Sequence, residues 1–429
     1  MARGRGKATG EGAWARARAV RVPDAARRAR RPGRPARPRT ASSAHLRAVR
    51  SRLVRVLDPP PAGEPEDRGL HRRRYDRALR SRSPQRRVIW TRAEGSRVWD
   101  ENGREYIDLT AGFGVAVLGH ANPRISEAIA SQPVRHALGD LAEADVTRRF
   151  REALPWPVKL GVTGEDAVEI ALRTALLETG KPGIVAFEGA YHGTGLLALA
   201  ATGLERFRTP FSSWLPGPIH RRRYGEDPGE LPEDACCVIV EPVQGRVGSR
   251  VPPPGFLDVL RERCDAAGAL LIVDAIFTGI GRLGEMWPGS NVADVLCVGK
   301  ALGGGLPLSA ALFVRPELEG VWDLGREDVY THTHVGNPLA CAAGLVVLEE
   351  VPLLLGRVRD LSDRFGAAGW HGAGLLRTRR QNAAHAIRSG VLVIPIPAQD
   401  EAHALMQAAP AFTITDEDLD EVFARLSRH

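Results

Sequence analysis

The sequence predicts an α/β fold: a mostly parallel sheet with helices packed on it. Three observations carry this. Apolar, strand-like runs alternate with helical stretches at roughly 30-residue intervals, the pattern of strand–helix–strand crossovers. Three of those runs end in an ionisable residue: Glu241 after CCVIV, Asp274 after ALLIV and Lys300 after VLCVG. In a parallel sheet, ligands bind beyond the carboxyl ends of the strands, so these three side chains are expected at one cavity.

Taken in order, RVWDENGREYIDL (97–109) reads as two short strands around an Asn102-Gly103 turn, a strong hairpin signal. The alternation follows. Strands are expected at GIVAFEG (183–189), CCVIVEPV (236–243), ALLIVDAIF (269–277), DVLCVGKA (294–301) and AALFV (310–314). Helical spacing marks EDAVEIALRTALLE (165–178) and PGFLDVLRERCDAAG (254–268), the second stopped by Gly268. After residue 340 the helical PLACAAGLVVLEEV leads to a smaller unit, with a strand at GVLVIPI (390–396) and a final helix at TDEDLDEVFARLSR.

At 429 residues, with 43% hydrophobic and 26% charged, the chain is long enough for a large core and two domains. No run of 18 apolar residues occurs, so no transmembrane helix and no membrane partner are expected. The start lacks an apolar core segment, so no secretory signal is expected. The five cysteines lack Cys-x-x-Cys spacing. They read as small buried thiols in a reducing, cytoplasmic compartment, without metal or disulfide.

The net charge of +8 is unevenly spread. Residues 1–57 hold 17 basic and 2 acidic residues, a net of +15, which leaves −7 for the rest. Residues 1–70 are mostly Arg, Ala, Pro and Gly. Such a segment cannot bury enough apolar surface to offset its ordering entropy and is expected to be disordered. RRPGRPARPR (30–39) is similar to the minor-groove AT-hook, a weak pointer to nucleic acid. An Arg-rich, acid-poor start also fits a mitochondrial transit peptide. A third reading, a mis-assigned start in a GC-rich genome, is favoured because all four residue types have GC-rich codons.

The strand-end residues suit pyridoxal phosphate. A lysine amine has a pKa of about 10.4 in water and is then no nucleophile. Desolvation frees it to form a Schiff base. An aspartate beside a pyridine nitrogen keeps that nitrogen protonated, so the ring can take up charge. Lysine then moves the proton between carbon centres. In VTGEDAVEIAL, Thr163 and Gly164 precede a helix whose N–H groups favour a phosphate. Thr163 and Asp166 equally fit a capping box. Lys300 alone could be a snorkelling lysine and Asp274 alone a turn residue; the combination points to chemistry.

From about 88 to 425 the chain resembles the class III aminotransferases of fold-type I. The resemblance rests on AFEGAYHG, VIVEPVQG, LLIVDAIFTGIGRLG, CVGKALGGGLPLSA and HTHVGNPLACAAGLVVL. It implies a large domain (119–340) with a mostly parallel seven-stranded sheet, and a smaller α+β domain from segments 86–118 and 341–429. Lys300 is implied as the Schiff-base lysine and Asp274 as the pyridinium partner. Tyr191 is implied on one face of the cofactor ring and Ile276 on the other, with Gln244 near the ring hydroxyl. Thr333 is implied to reach the phosphate of a neighbouring subunit, hence a homodimer. The full cofactor set expected is Thr163, Gly164, Glu165, Tyr191, His192, Glu241, Gln244, Asp274, Ile276, Lys300 and Thr333. The glycines after Lys300 are implied to let the backbone turn close to the cofactor.

The pattern has departures. Ala275 follows the aspartate where relatives carry Glu. Glu165 stands in the phosphate cup and is expected to turn outward. Thr194 and Gln407 occupy positions where relatives often place carboxylate-binding arginines, which puts 2-oxoglutarate in doubt as the partner. His334 replaces an aromatic. The chain also reads as shortened before the cup and over 365–390. The leading expectation is transfer of an amino group from an amino acid or primary amine to an oxo acid. Racemisation or epimerisation with the same cofactor is the alternative, and a degenerate binding homologue the third.

Overall fold

The computed structural model describes residues 88–136, 142–325, 329–396 and 405–427. The arginine-rich segment, with its AT-hook-like stretch and every expectation placed on it, lies outside these residues. Three strands open the described chain: β1 (Trp90–Glu94), β2 (Arg97–Asp100) and β3 (Glu105–Asp108) form an antiparallel meander. The Asn102-Gly103 turn is where the sequence put it. Gly103 has φ +76°, and Asp100 Oδ1 accepts from the N–H groups of Asn102 (2.9 Å) and Arg104 (3.0 Å). The sequence reading missed β1, which is largely exposed and so lacks an apolar face.

Next come α1 (Pro123–Ser131), α2 (Asp145–Glu152), β4 (Val158–Gly161), α3 (Gly164–Thr179), β5 (Gly183–Phe187) and α4 (Leu196–Ala201). They are followed by β6 (Ile219–Arg222), β7 (Ala235–Val240), α5 (Phe256–Ala267), β8 (Leu270–Asp274), β9 (Val295–Val298) and β10 (Ser309–Phe313). The central sheet has seven strands in the order β4-β10-β9-β8-β7-β5-β6. Strands β6, β5, β7, β8 and β9 pair in parallel, and only β10 runs against the others. This is the expected mixed, mostly parallel sheet. Strands β5, β7, β8 and β9 are buried along their whole length. Helices covering both faces explain why they read as unbroken apolar runs rather than alternating ones.

Helix α5 ends at Gly268, whose φ of +60° is the left-handed cap the sequence implied. A second cap explains the Gly-Asn-Pro stretch. Asn337 Oδ1 accepts from the N–H groups of Leu339 and Ala340, and Pro338 opens the 30-residue α6 (Pro338–Ala367). By length and composition α6 could cross a membrane. Here it packs on α1 and α2 as a core helix, with Gly344 lying where a Cβ would come 2.6 Å from the Phe150 ring. The expected boundary between residues 340 and 341 falls inside this helix.

The chain closes with β11 (His371–Ala373), β12 (Leu376–Arg380), α7 (Ala383–Arg388), β13 (Val391–Leu392), β14 (Ile394–Ile396), β15 (Leu405–Ala408) and α8 (Asp416–Ser427). The run GVLVIPI is not one strand. Its first half, β13, joins β3 in parallel; its second half, β14, lies at the edge of the β11-β12-β15-β14 sheet. Pro395 lacks an N–H and is tolerated at such an edge. The N- and C-terminal segments therefore share a sheet, and Arg97 of β2 binds Asp418 of α8 through Nε (2.9 Å) and Nη2 (2.6 Å). All five cysteines are buried, free thiols.

Candidate active site

The carboxyl ends of β7, β8 and β9 open onto a cavity of about 430 Å³. Its wall includes Glu241, Asp274 and Lys300, the three strand-end residues, together with Thr163, Gly164 and Glu165 from the start of α3. Tyr191, His192, Gly193 and Ile276 also line it, as do Phe113, Arg246 and Phe277, which the sequence reading did not single out.

Lys300 has φ +40°, an unusual backbone state for a non-glycine residue, costing about 1–3 kcal/mol of strain. Its Nζ stands 4.4 Å from the centre of the Phe277 ring. Burial pushes the amine down to about 8, against the opposing pull of Asp274 and Glu241. Behind it the backbone turns through Gly304 (φ +57°) and Gly305 (φ +111°). A Cβ on Gly304 would lie 2.9 Å from Ile125 and 3.2 Å from Val347, so this glycine also permits close packing on α1 and α6.

Asp274 is 4% exposed. One carboxylate oxygen lies 2.8 Å from His192 Nδ1, and the other accepts from the Ile276 N–H at 3.1 Å. His192 Nε2 is buried without a partner among the described residues. Glu241 accepts from the N–H groups of Tyr191 (3.0 Å) and Gly245 (3.3 Å) and so fixes two loops of the wall. Burial pushes its carboxyl up to about 7.

At the head of α3, Asp166 Oδ2 accepts from Val162 N–H (2.9 Å) and Thr163 N–H (2.8 Å). Gly164 packs on Ile276: a Cβ there would come 2.9 Å from Ile276 Cγ2. The Glu165 carboxylate is taken up by the Thr194 N–H (2.8 Å), the Thr194 hydroxyl (3.0 Å) and the Gly195 N–H (3.0 Å). The short link before the cup holds β4, which leads straight into it.

Two expected residues are not in the wall. Gln244 is fully buried and donates to the Glu188 carbonyl at 2.9 Å. Thr333 is exposed on the stretch leading to α6. Ala275 is buried in the core and brings no charge to the site. The missed residues had a faint signal. Phe113 sits in AGFG, where Ala111, Gly112, Phe113 and Gly114 all have positive φ. Arg246 directly follows the Glu-Pro-Val-Gln-Gly run.

The profile of the class-III aminotransferase family matches residues 79–368. An acetylornithine aminotransferase of Methanopyrus kandleri is 40% identical over 264 residues, spanning 58% of this chain and 67% of that one. A putrescine aminotransferase of Pectobacterium atrosepticum is 35% identical over 289 residues, spanning 62% of this chain and 61% of that one. Among solved structures, the ornithine aminotransferase of Toxoplasma gondii superposes with a TM-score of 0.72 at 24% identity, covering 91% of this chain and 98% of that one. That likeness shows the fold.

Proposed function

This chain belongs to the class-III aminotransferases and is a pyridoxal-phosphate-dependent aminotransferase, and from that premise we propose how its residues divide the work. The observation that carries the proposal is the convergence of Lys300, Asp274 and the head of α3 on one cavity. A primary amine gives up its amino group and leaves as the oxo product; an oxo acid then receives it. The relatives are named for different donors, acetylornithine and putrescine, so they support the reaction class and leave the donor open. Names that are all aminotransferases also favour transfer over racemisation.

The residues fit the cofactor. The glycine-lined helix start suits a phosphate, because backbone N–H groups and the helix dipole both favour an anion. With the Glu165 carboxylate drawn off by Thr194 and Gly195, less negative charge faces that cup. Tyr191 and Ile276 offer surfaces for a flat ring. When bound, pyridoxal phosphate supplies an electron sink for the carbon that carries the amine. Asp274 favours a protonated ring nitrogen, and His192 holds Asp274 in place. Lys300, with its amine pushed down to about 8, can both give and take a proton near neutral pH. Gln244 we read as a support beneath the wall through its bond to Glu188.

Three further readings stand as proposals. A homodimer with shared sites is supported by the exposed position of Thr333. A small domain built from 86–118 and 341–429 is supported by the β3–β13 pairing. A cytoplasmic setting is supported by the five free thiols.

Product formation with and without an oxo acid tests the reaction. Transfer requires the acceptor for more than one turnover. Sustained conversion of an L-amino acid to its D-form without acceptor would replace transfer by racemisation. Gly164→Ala tests the cup. The added Cβ must displace Ile276, so pyridoxal phosphate affinity by equilibrium dialysis is expected to fall roughly 10-fold or more. An unchanged affinity would move the phosphate away from α3.

A further inference from the structure

Besides Lys300, the cavity wall carries a second cation, Arg246. Its guanidinium carbon lies 4.6 Å from the centre of the Tyr191 ring, 5.6 Å from that of Phe113 and 5.9 Å from that of Phe207. It makes no hydrogen bond or ion pair with the described residues. A guanidinium held by aromatic rings rather than by hydrogen-bond acceptors keeps its N–H donors available, and these match a carboxylate bidentately.

Each carboxylate of the wall already accepts hydrogen bonds from other groups, Glu165 through Oε2 alone. Glu165 is bound by Thr194 and Gly195, Glu241 by Tyr191 and Gly245, and Asp274 by His192 and Ile276. The loop that bears Arg246 is, by contrast, firmly tied. Gln407, 1% exposed, donates from Nε2 to the Gly245 carbonyl (2.7 Å) and to Ser249 Oγ (2.8 Å). The Thr378 hydroxyl donates to Ser249 Oγ at 2.9 Å. Gln244 and Arg250 exchange backbone hydrogen bonds of 3.0 and 3.1 Å across the same loop.

We propose that Arg246 binds the carboxylate of the substrate, in amino acid and oxo acid alike, and that Gln407 positions it by holding the 245–249 loop. This rests on the aminotransferase reading and deepens it: the substrates are carboxylates rather than simple amines. Neither Thr194 nor Gln407 can offer a charge-assisted fork, and Arg246 supplies one from a different loop. Arg246 also adds to the cationic surroundings of the Lys300 amine, and a bound carboxylate offsets that charge.

The test is calorimetric titration of the cofactor-loaded protein with pentanoate and with its neutral isostere pentanamide. Wild type is expected to prefer pentanoate, and added salt to weaken only pentanoate. R246Q is expected to bind pentanoate roughly 10- to 100-fold more weakly while pentanamide stays within about two-fold. R246K keeps the charge without the fork and falls between them. Q407L loses roughly 3- to 10-fold for pentanoate, with pyridoxal phosphate affinity unchanged. Equal pentanoate binding by wild type and R246Q would overturn the proposal. So would a fall in pyridoxal phosphate affinity in R246Q, which would assign Arg246 to the cofactor. The binding experiment needs no turnover. A protein that binds pentanoate through Arg246 yet transfers no amino group would sink the functional reading and leave this one standing.

Discussion

Lys300→Ala is expected to lower turnover by at least about 10⁴-fold. The lysine has two tasks at the same atom. In the proposed function its amine would hold the cofactor covalently and would move the proton at the reacting carbon. Alanine removes both, and water placed in the space left behind has neither the reach nor the basicity. The variant should nonetheless fold, because the Lys300 side chain makes no hydrogen bond that holds the wall together. Borohydride treatment followed by mass spectrometry separates the outcomes. In wild type the cofactor's mass remains on the peptide containing Lys300; in the variant it dialyses away. A label that persists on another lysine would remove Lys300 from its role.

The same residue sets a pH dependence. With burial pushing the amine down to about 8, the neutral, reactive form dominates above that value. Capture of pyridoxal phosphate by cofactor-free protein should therefore quicken as pH rises through about 8 and level off beyond it. Stability follows the linked sign. A depressed lysine pKa means the unfolded chain holds its proton where the folded chain has lost it, so between about 8 and 10.5 this group makes stability rise with pH. Glu241 acts oppositely at lower pH. Its raised pKa means the folded chain holds a proton the unfolded one has lost, so stability falls between about 4.5 and 7.

Much of this site is written in local sequence. Each of Glu241, Asp274 and Lys300 ends an apolar run, and parallel strands place such ends side by side. Strand–helix alternation carried the central sheet for the same reason. What escaped is what depends on partners far along the chain. Strand β4 is four residues long and pairs with β10, some 150 residues away, so nothing local marks it. The division of GVLVIPI between two sheets comes from β3 and β15, not from its own composition. Arg246 illustrates the limit for function. Its neighbours in sequence make it look like an ordinary loop arginine. Only the fold brings Tyr191 and Phe113 against its guanidinium in the wall of the cavity. Gln244 shows the converse: a recognisable motif residue whose side chain is buried and donates to the Glu188 carbonyl.

Asp274→Asn is expected to cut turnover by roughly 10²- to 10⁴-fold while the cofactor remains bound. The exchange is nearly isosteric, so packing is kept, and the amide oxygen can still accept from Ile276 N–H. Two things change. A neutral amide no longer favours a protonated ring nitrogen. The amide nitrogen, if it faces His192 Nδ1, also forces the imidazole to present an acceptor there, and the buried Nε2 then carries the hydrogen. Asp274→Ala would confuse these effects with damage, because it strands His192 Nδ1 and the Ile276 N–H at about 1–3 kcal/mol each. The informative comparison loads Asp274→Asn with an analogue methylated on the ring nitrogen, which carries the positive charge permanently. If the carboxylate works by favouring that charge, the analogue restores part of the lost rate in the variant and gives wild type no advantage. If Asp274 serves only to orient His192, the analogue restores nothing, and His192→Gln should lose as much activity as Asp274→Asn.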